Sequence, residues 1–273
     1  MTIMPAPEAL HGIISDLDGV VYRGDEPIPD AVRAFRYWHA QGLPYAFVTN
    51  NATKSAAQFA VKLGRMGVPA EPAQVFSTVA ATARLIRRRW PAGTRVFAIG
   101  ERPLFEALDE AGLTFVGENA EVVVLGFDYG LTYAKLRTAV RCALAGAALV
   151  VTNPDRLTPA PDGFEPCVGV LQAAVQAAVP AVVPIIVGKP EPHMIEDALA
   201  YLGTSRDRTI MIGDQIVTDI AAGRRAGLRS ILVTTGVPHT RAEGLAPDQV
   251  VLSLVDLIEP AQALNRGFYE STR

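Results

Sequence analysis

The feature that most constrains the fold is a regular alternation of short β-branched runs with alanine-rich helical stretches. Such alternation predicts parallel strands joined by helices, with both faces of the sheet covered. Six runs are predicted as strands of one sheet: 12–16, 44–50, 74–78, 209–214, 230–236 and 250–253. Helices are predicted between them, at 30–40, 53–66, 192–201 and 218–226. The chain is therefore predicted to be an α/β protein.

The middle of the chain has a set of elements of its own. Strands are predicted at 94–100, 114–117, 121–128 and 147–155, and a helix is predicted near 132–145. These are enough elements for a second α/β domain inserted into the first. We predict a discontinuous core domain formed by residues 1–79 and 184–273, and an inserted domain formed by residues 80–183.

Composition excludes several classes of partner. The 273 residues include 25 Lys and Arg and 28 Asp and Glu, a formal charge of −3 that provides no broad positive field for nucleic acid. The most apolar segment, 171–188, contains Gln172, Gln176, Pro180 and Pro184, which favours a helix, a break and a strand over a membrane span. The two cysteines lack metal-site spacing. We expect a cytoplasmic protein with neither a nucleic-acid nor a membrane partner.

Four polar clusters stand at strand ends or helix starts. They are "DLDG" (16–19), "TNN" (49–51), "GKP" (188–190) and "GDQIVTD" (213–219). Taken singly, each is typical of a turn or a helix cap. Ligands of open α/β sheets bind beyond the carboxyl ends of the strands, so we expect these clusters to converge there.

The convergent residue types favour phosphoryl chemistry. Asp16 and Asp214 would form an all-oxygen site of the kind that Mg²⁺ prefers. A divalent cation would also offset the repulsion between Asp16 and Asp18. Lys189 supplies a positive charge and Thr49 a hydroxyl, both suited to a phosphoryl group. A carboxylate that attacks and a second acid that exchanges protons together predict an aspartyl-phosphate intermediate.

These motifs resemble those of the haloacid dehalogenase-like (HAD) hydrolases over essentially the whole chain. The matching segments resemble the branch of NagD-like and 4-nitrophenyl phosphate phosphatases: "DLDGVVYRGDEPIPDA" (16–31), "FVTNNATKS" (47–55), "VTNPDRLTPAPDG" (151–163), "VGKPEP" (187–192) and "GDQIVTDIAAGRRAGLRSILVTTG" (213–236). The resemblance implies a Rossmann-like, three-layer parallel-sheet core. It also implies a class IIA α/β cap domain, inserted between the second and third motifs.

The resemblance implies a role for each matched residue of the core. Asp16 matches the nucleophile and a metal ligand, and Asp18 matches the general acid/base, which also ligates the metal through its backbone carbonyl. Thr49 and Lys189 match residues that position the phosphate. Asp214 matches a carboxylate ligand of Mg²⁺.

Other matched positions are left with two readings. Asp219 either ligates the metal directly, or holds the metal's water shell or orients the lysine. Asn50 and Asn51 match a loop whose amides face the substrate. In the cap, Asp155 and Arg156 either bind the substrate or only brace their loop.

The leading hypothesis is a Mg²⁺-dependent phosphatase acting on phosphomonoesters of small metabolites. Two alternatives come from other classes: a receiver-like phosphoacceptor, and a catalytically silent HAD-fold protein that binds a partner. A receiver has neither an acid at the position of Asp18 nor a hundred-residue insertion, and no reacting position here is substituted. A dehalogenase is disfavoured because it needs no Mg²⁺ site. The substrate, and whether the chain is a monomer or a homodimer formed through the cap, stay open.

Overall fold

A computed structural model describes residues 10–160, 163–236 and 244–258 of the chain. Its strands, in chain order, are β1 (Gly12–Ser15), β2 (Tyr22–Arg23), β3 (Glu26–Pro27), β4 (Tyr45–Thr49), β5 (Val75–Ser77), β6 (Arg95–Ile99), β7 (Thr114–Phe115), β8 (Val122–Leu125), β9 (Ala148–Val151), β10 (Leu157–Ala160), β11 (Gly163–Pro166), β12 (Pro184–Ile186), β13 (Thr209–Gly213), β14 (Arg229–Val233) and β15 (Gln249–Val251). The α-helices are α1 (Pro29–Ala40), α2 (Ala56–Arg65), α3 (Thr78–Arg89), α4 (Arg102–Glu110), α5 (Tyr133–Leu144), α6 (Val168–Ala178), α7 (His193–Leu202) and α8 (Ala221–Arg225).

The larger sheet has six strands in the order β15-β14-β13-β1-β4-β5, and every neighbouring pair is parallel. Successive side chains of a strand point to opposite faces, so Ile13 and Ile14 in β1 enter two different apolar clusters. Phe35 of α1 and Phe59 of α2 pack in one cluster, and Met194 of α7 packs in the other. The sheet is therefore covered by helices on both faces, which confirms the predicted α/β class with a three-layer parallel core.

A second sheet has five strands in the order β12-β9-β8-β6-β7, again all parallel. The predicted insertion supplies most of it, and β12, which begins at the predicted return point, is hydrogen-bonded in this sheet too. The boundaries of the two domains stay predictions. Their outer ends, 1–9 and 259–273, lie outside the described residues, as do 161–162 in the cap and 237–243 in the core.

Two antiparallel hairpins were not predicted. The strands β2 and β3 pair three residues after Gly19, whose φ of 83° favours a residue without a side chain. The strands β10 and β11 pair within the cap. Two-residue strands such as β2 and β3 are too short to show a hydrophobic period. The predicted helix at 218–226 is also divided, into a π-helical turn at Ile216–Ile220 and then α8.

The apolar segment 171–188 forms a helix and a strand, as its sequence predicts. The helix α6 ends at Ala178, and the chain then turns before β12. Among the described residues, no helix combines the length and the apolar character needed to span a bilayer.

Close packing of α6 against the loop that follows β9 gives a test of the fold. A Cβ at Gly169 in α6 would lie 2.2 Å from the carbonyl oxygen of Pro154, whereas a Cβ at Gly64 in α2 would meet nothing within 4 Å. We expect Gly169→Ala to lower the free energy of unfolding by about 1–3 kcal/mol. We expect the matched Gly64→Ala to raise it by roughly 0.5–1 kcal/mol. Urea denaturation of both variants measures the difference, and equal values would contradict the packing described.

Candidate active site

Three neighbouring strands end in the polar residues that the sequence singled out. Asp16 follows β1, Thr49 closes β4 and Asp214 follows β13. The strands are adjacent and parallel, so their carboxyl ends lie at one edge of the sheet. All three residues are buried. The structure therefore brings them together where the sequence predicted a crevice.

Lys189 reaches the same edge from the loop that follows β12. Its Nζ lies 2.6 Å from Asp16 Oδ1 and 2.6 Å from Asp219 Oδ1, and it also donates to the carbonyl oxygen of Val48 at 3.4 Å. The residue is only 2% exposed. A buried ammonium paired with two carboxylates is held as a fixed positive charge at the centre of the site.

Burial and ion pairing shift the pKa values of Asp16 and Lys189 in opposite directions. Burial raises the pKa of Asp16 to about 7, although Lys189 lowers it. Burial lowers the pKa of Lys189, but Asp16 and then Asp219 raise it by more, so its net direction is upwards. The lysine therefore stays charged and favours the ionised form of Asp16, which is the form that can attack an electrophile.

Asp219 ties the lysine to the turn that carries Asp214. Its Oδ2 accepts the backbone N–H groups of Asp214 at 3.2 Å and Gln215 at 3.0 Å, while its Oδ1 faces Lys189. The structure therefore shows Asp219 in contact with the lysine, which is one of the roles predicted for it.

Glycines allow the backbone to approach Asp214 closely. A Cβ at Gly19 would lie 2.3 Å from Asp214 Oδ2, and one at Gly236 would lie 1.8 Å from the same atom. Only residues without a side chain fit these two positions.

The donor set fits a hard divalent cation. Asp16, Asp214 and Asp219 each offer a carboxylate oxygen, and these oxygens lie within 4.8 Å of one another. Mg²⁺ is bound in proteins by such oxygens, with water completing the shell. The carboxylate of Asp18 is outside this cluster, so its side chain is not among the ligands that the geometry offers; the resemblance assigned its backbone carbonyl instead.

Asp18 lies two residues after Asp16 and forms an isolated β-bridge with Tyr22. The residue is exposed, yet partial desolvation of its carboxyl group by the adjacent protein raises its pKa, and Lys62 opposes the shift. The Nζ of Lys62 donates to Gly24 O at 2.5 Å, pairs with Asp25 at 3.1 Å and stands 4.0 Å from the centre of the Tyr22 ring. The lysine thus joins α2 to the hairpin β2–β3 beside Asp18.

The loop after β4 is folded by its own polar groups. The backbone N–H of Asn51 donates to Thr49 Oγ1 at 3.2 Å, and Asn51 Oδ1 accepts from Thr53 N–H at 2.9 Å. The amide of Asn50 points elsewhere: Oδ1 accepts the N–H of Lys189 at 2.8 Å, and Nδ2 donates to Lys189 O at 3.0 Å. Substrate binding by Asn50 and Asn51 stays a prediction.

The cap loop after β9 contacts this core loop directly. Asn50 Nδ2 donates to Asp155 Oδ2 at 3.0 Å, and Asn153 Nδ2 donates to Asn50 O at 2.9 Å. Burial raises the pKa of Asp155, and the hydrogen bond from Asn50 opposes this. Arg156 is exposed. The structure brings Asp155 to the core edge, and substrate binding by Asp155 and Arg156 stays a prediction.

Sequence reasoning missed Lys62 and Asn153. Lys62 contacts a hairpin 38 residues earlier in the chain, and Asn153 contacts a loop 103 residues earlier. The repeated "VTN" of 48–50 and 151–153 was the available signal for Asn153, because both stretches end strands. The sequence offers no comparable signal for Lys62.

Comparison with known proteins agrees with this geometry. The family model described as haloacid dehalogenase-like hydrolase matches residues 13–114, and the HAD-hydrolase-like model matches 186–257. A 5′-nucleotidase, YutF, of Bacillus subtilis is 40% identical over 237 residues, 87% of this chain and 91% of the relative. An acid sugar phosphatase of Staphylococcus aureus is 38% identical over 223 residues, 81% of this chain and 85% of the relative.

A solved structure extends the agreement to the fold. The p-nitrophenyl phosphatase from Archaeoglobus fulgidus superposes with a TM-score of 0.85 at 34% identity, covering 92% of this chain and 99% of the other. The chain belongs to the haloacid dehalogenase-like hydrolases and is a phosphatase of their NagD-like branch.

Proposed function

We propose that this phosphatase hydrolyses phosphomonoesters of small metabolites, depends on Mg²⁺ and passes through an aspartyl-phosphate intermediate. The observation that carries the proposal is the buried cluster of Asp16, Asp214 and Asp219 at the carboxyl edge of the sheet, two of whose carboxylates pair with Lys189. The named relatives support the substrate class, since they comprise a nucleotidase, a sugar phosphatase and a nitrophenyl phosphatase.

In the first step, a carboxylate oxygen of Asp16 attacks phosphorus. The new bond joins Asp16 to the phosphoryl group, and the bond from phosphorus to the ester oxygen breaks. Asp18 gives its proton to the departing oxygen, a role that suits a carboxyl whose pKa is raised. Lys189 holds Asp16 in place and stabilises the negative charge on the phosphoryl oxygens.

In the second step, water releases the phosphate. Asp18, now ionised, takes a proton from the water, whose oxygen attacks phosphorus. The bond between Asp16 and phosphorus breaks, and inorganic phosphate leaves. Asp18 ends protonated and Asp16 ends ionised, so the enzyme is ready for another cycle.

Mg²⁺, when bound, would neutralise carboxylate and phosphoryl charge. Asp16 and Asp214 are the side chains proposed to hold it, with Asp219 either as a ligand or behind its water shell. The proposal retains a cytoplasmic location and a small phosphorylated metabolite as the partner. A homodimer through the cap is retained as the alternative to a monomer.

A panel of metabolite phosphates tests the function. We expect the wild-type protein to release phosphate from at least one small phosphomonoester and from 4-nitrophenyl phosphate. Chelation should stop both reactions, and Mg²⁺ should restore them. Asp16→Asn should be folded and inactive, because the amide is a poor nucleophile and uncatalysed hydrolysis is extremely slow. A folded variant that kept about a tenth of the activity would refute the assignment of the nucleophile.

Asp18→Asn tests the general acid. Proton transfer of this kind contributes about 10²–10⁴-fold to a rate. Nitrophenolate needs little protonation as it leaves, so single-turnover loss of the first step should be smaller for 4-nitrophenyl phosphate than for an alkyl phosphate. Equal losses for the two esters would count against Asp18 as the acid.

Arg156→Ala tests whether the cap contacts the substrate and distinguishes one ester from another. Arg156 is exposed, so its replacement should leave the fold intact. If it contacts the far end of the substrate, KM for the best metabolite should rise several-fold while KM for 4-nitrophenyl phosphate barely changes. A uniform change for every ester would instead indicate that this residue only braces its loop.

A further inference from the structure

The side-chain amide of Asn50 has all its hydrogen atoms committed to two partners. Its Oδ1 accepts from Lys189 N–H at 2.8 Å, and its Nδ2 donates both to Lys189 O at 3.0 Å and to Asp155 Oδ2 at 3.0 Å. An amide nitrogen has two protons, and both are used here. The side-chain amide is therefore hydrogen-bonded to the main chain of the catalytic lysine on one side and to the cap on the other.

Asp155 helps to select the orientation of that amide. Rotation by 180° would exchange the oxygen and the nitrogen of Asn50, and would turn the oxygen towards a carboxylate that only accepts. Space is also restricted, because a Cβ at Gly188 would lie 2.5 Å from Asn50 Oδ1. The cap carboxylate and the backbone N–H of Lys189 thus favour the same orientation of the amide.

A second cap side chain holds the main chain of Asn50. Asn153, which is 2% exposed, donates from Nδ2 to Asn50 O at 2.9 Å and accepts from Asp155 N–H at 3.2 Å. The carbonyl of Asp155 is fixed in turn by Gly169 N–H at 2.7 Å. We name Asn50, Asn153 and Asp155 the cap latch.

We propose that Asp155 is a positioning residue for catalysis, which acts through Asn50 on the main chain of Lys189 rather than by contact with the substrate. This inference rests on the proposed function. Asp155 fixes the amide, the amide fixes the main chain of Lys189, and Nζ is thereby held between Asp16 and Asp219. A displacement of about 1 Å at such a site can cost on the order of 10²-fold in rate.

Five variants test the proposal: Asp155→Ala, Asp155→Asn, Asn50→Ala, the double Asn50→Ala/Asp155→Ala, and the matched control Asp109→Ala, which removes an exposed carboxylate of the cap. Thermal unfolding identifies a temperature at which each is folded. At that temperature kcat and KM are measured with 4-nitrophenyl phosphate and with the best metabolite, and the affinity for inorganic phosphate is measured by calorimetry.

The expected pattern has four parts. Asp155→Ala loses about tenfold or more in kcat by the same factor for both esters, and binds inorganic phosphate more weakly. Asp155→Asn keeps most of the activity, because its Oδ1 still accepts from Asn50. In the Asn50→Ala background, Asp155→Ala costs less than about twofold more, because residues that act through one another are not additive. Asp109→Ala matches the wild type.

Three results would overturn the inference while leaving the proposed function intact. They are a loss that appears only in KM for the metabolite, losses that multiply in the double variant, and an Asp155→Ala variant as active as Asp109→Ala. A wild-type protein that hydrolyses no phosphomonoester with Mg²⁺ present would instead refute the proposed function. The two failures are therefore distinguishable.

Discussion

The pairing of the buried Lys189 ammonium with Asp16 and Asp219 is the interaction on which the rest of the site depends. A buried charge costs several kcal/mol unless a partner meets it in good geometry. Here the partners stand at 2.6 Å, one after β1 and the other in the π-helical turn after β13. The lysine itself arrives from β12 of the second sheet, so both sheets must be in place before the charges are matched. Two of the three clustered carboxylates pair with this one ammonium, and the surplus of negative charge in the cluster is what a divalent cation would offset.

The positions of the core site residues could be predicted from the sequence because adjacent parallel strands place their carboxyl ends together. Asp16, Thr49 and Asp214 each directly end or follow an apolar run, so a strand prediction accurate to one or two residues located them. The direction of a side chain in a loop is not coded in that way. The side-chain amide of Asn50 bonds Lys189 and Asp155, while substrate binding by the loop that carries it stays a prediction. No local pattern indicates these two partners, since they lie more than a hundred residues away.

The hairpin β2–β3 is a second feature that could not be predicted from local sequence, and here a whole element is concerned rather than one side chain. Two strands of two residues are marginal alone in water, so tertiary contacts must hold them. Lys62 of α2 donates to Gly24 O, and Arg23 Nε donates to Thr235 O at 2.6 Å. Thr235 Oγ1 donates in turn to Gly19 O at 2.7 Å. The turn next to Asp18 is thus fixed by α2 on one side and by the segment after β14 on the other, which explains why a short and polar stretch adopts one conformation.

The hydrogen bonds already made by residues of the cap loop indicate which part of the cap is left to distinguish one substrate from another. Under the proposed mechanism, the core edge meets only the phosphoryl group, which every phosphomonoester shares. In the cap loop, Asn153 and Asp155 are bonded to Asn50, so their polar atoms are directed at the core. Arg156, the next residue, is exposed, and the hairpin β10–β11 that follows exposes Leu157 and Phe164. Under the proposed latch, one short stretch of the cap has two tasks divided by position: the residues before Arg156 position the lysine, and those from Arg156 onward remain available to contact the rest of the substrate.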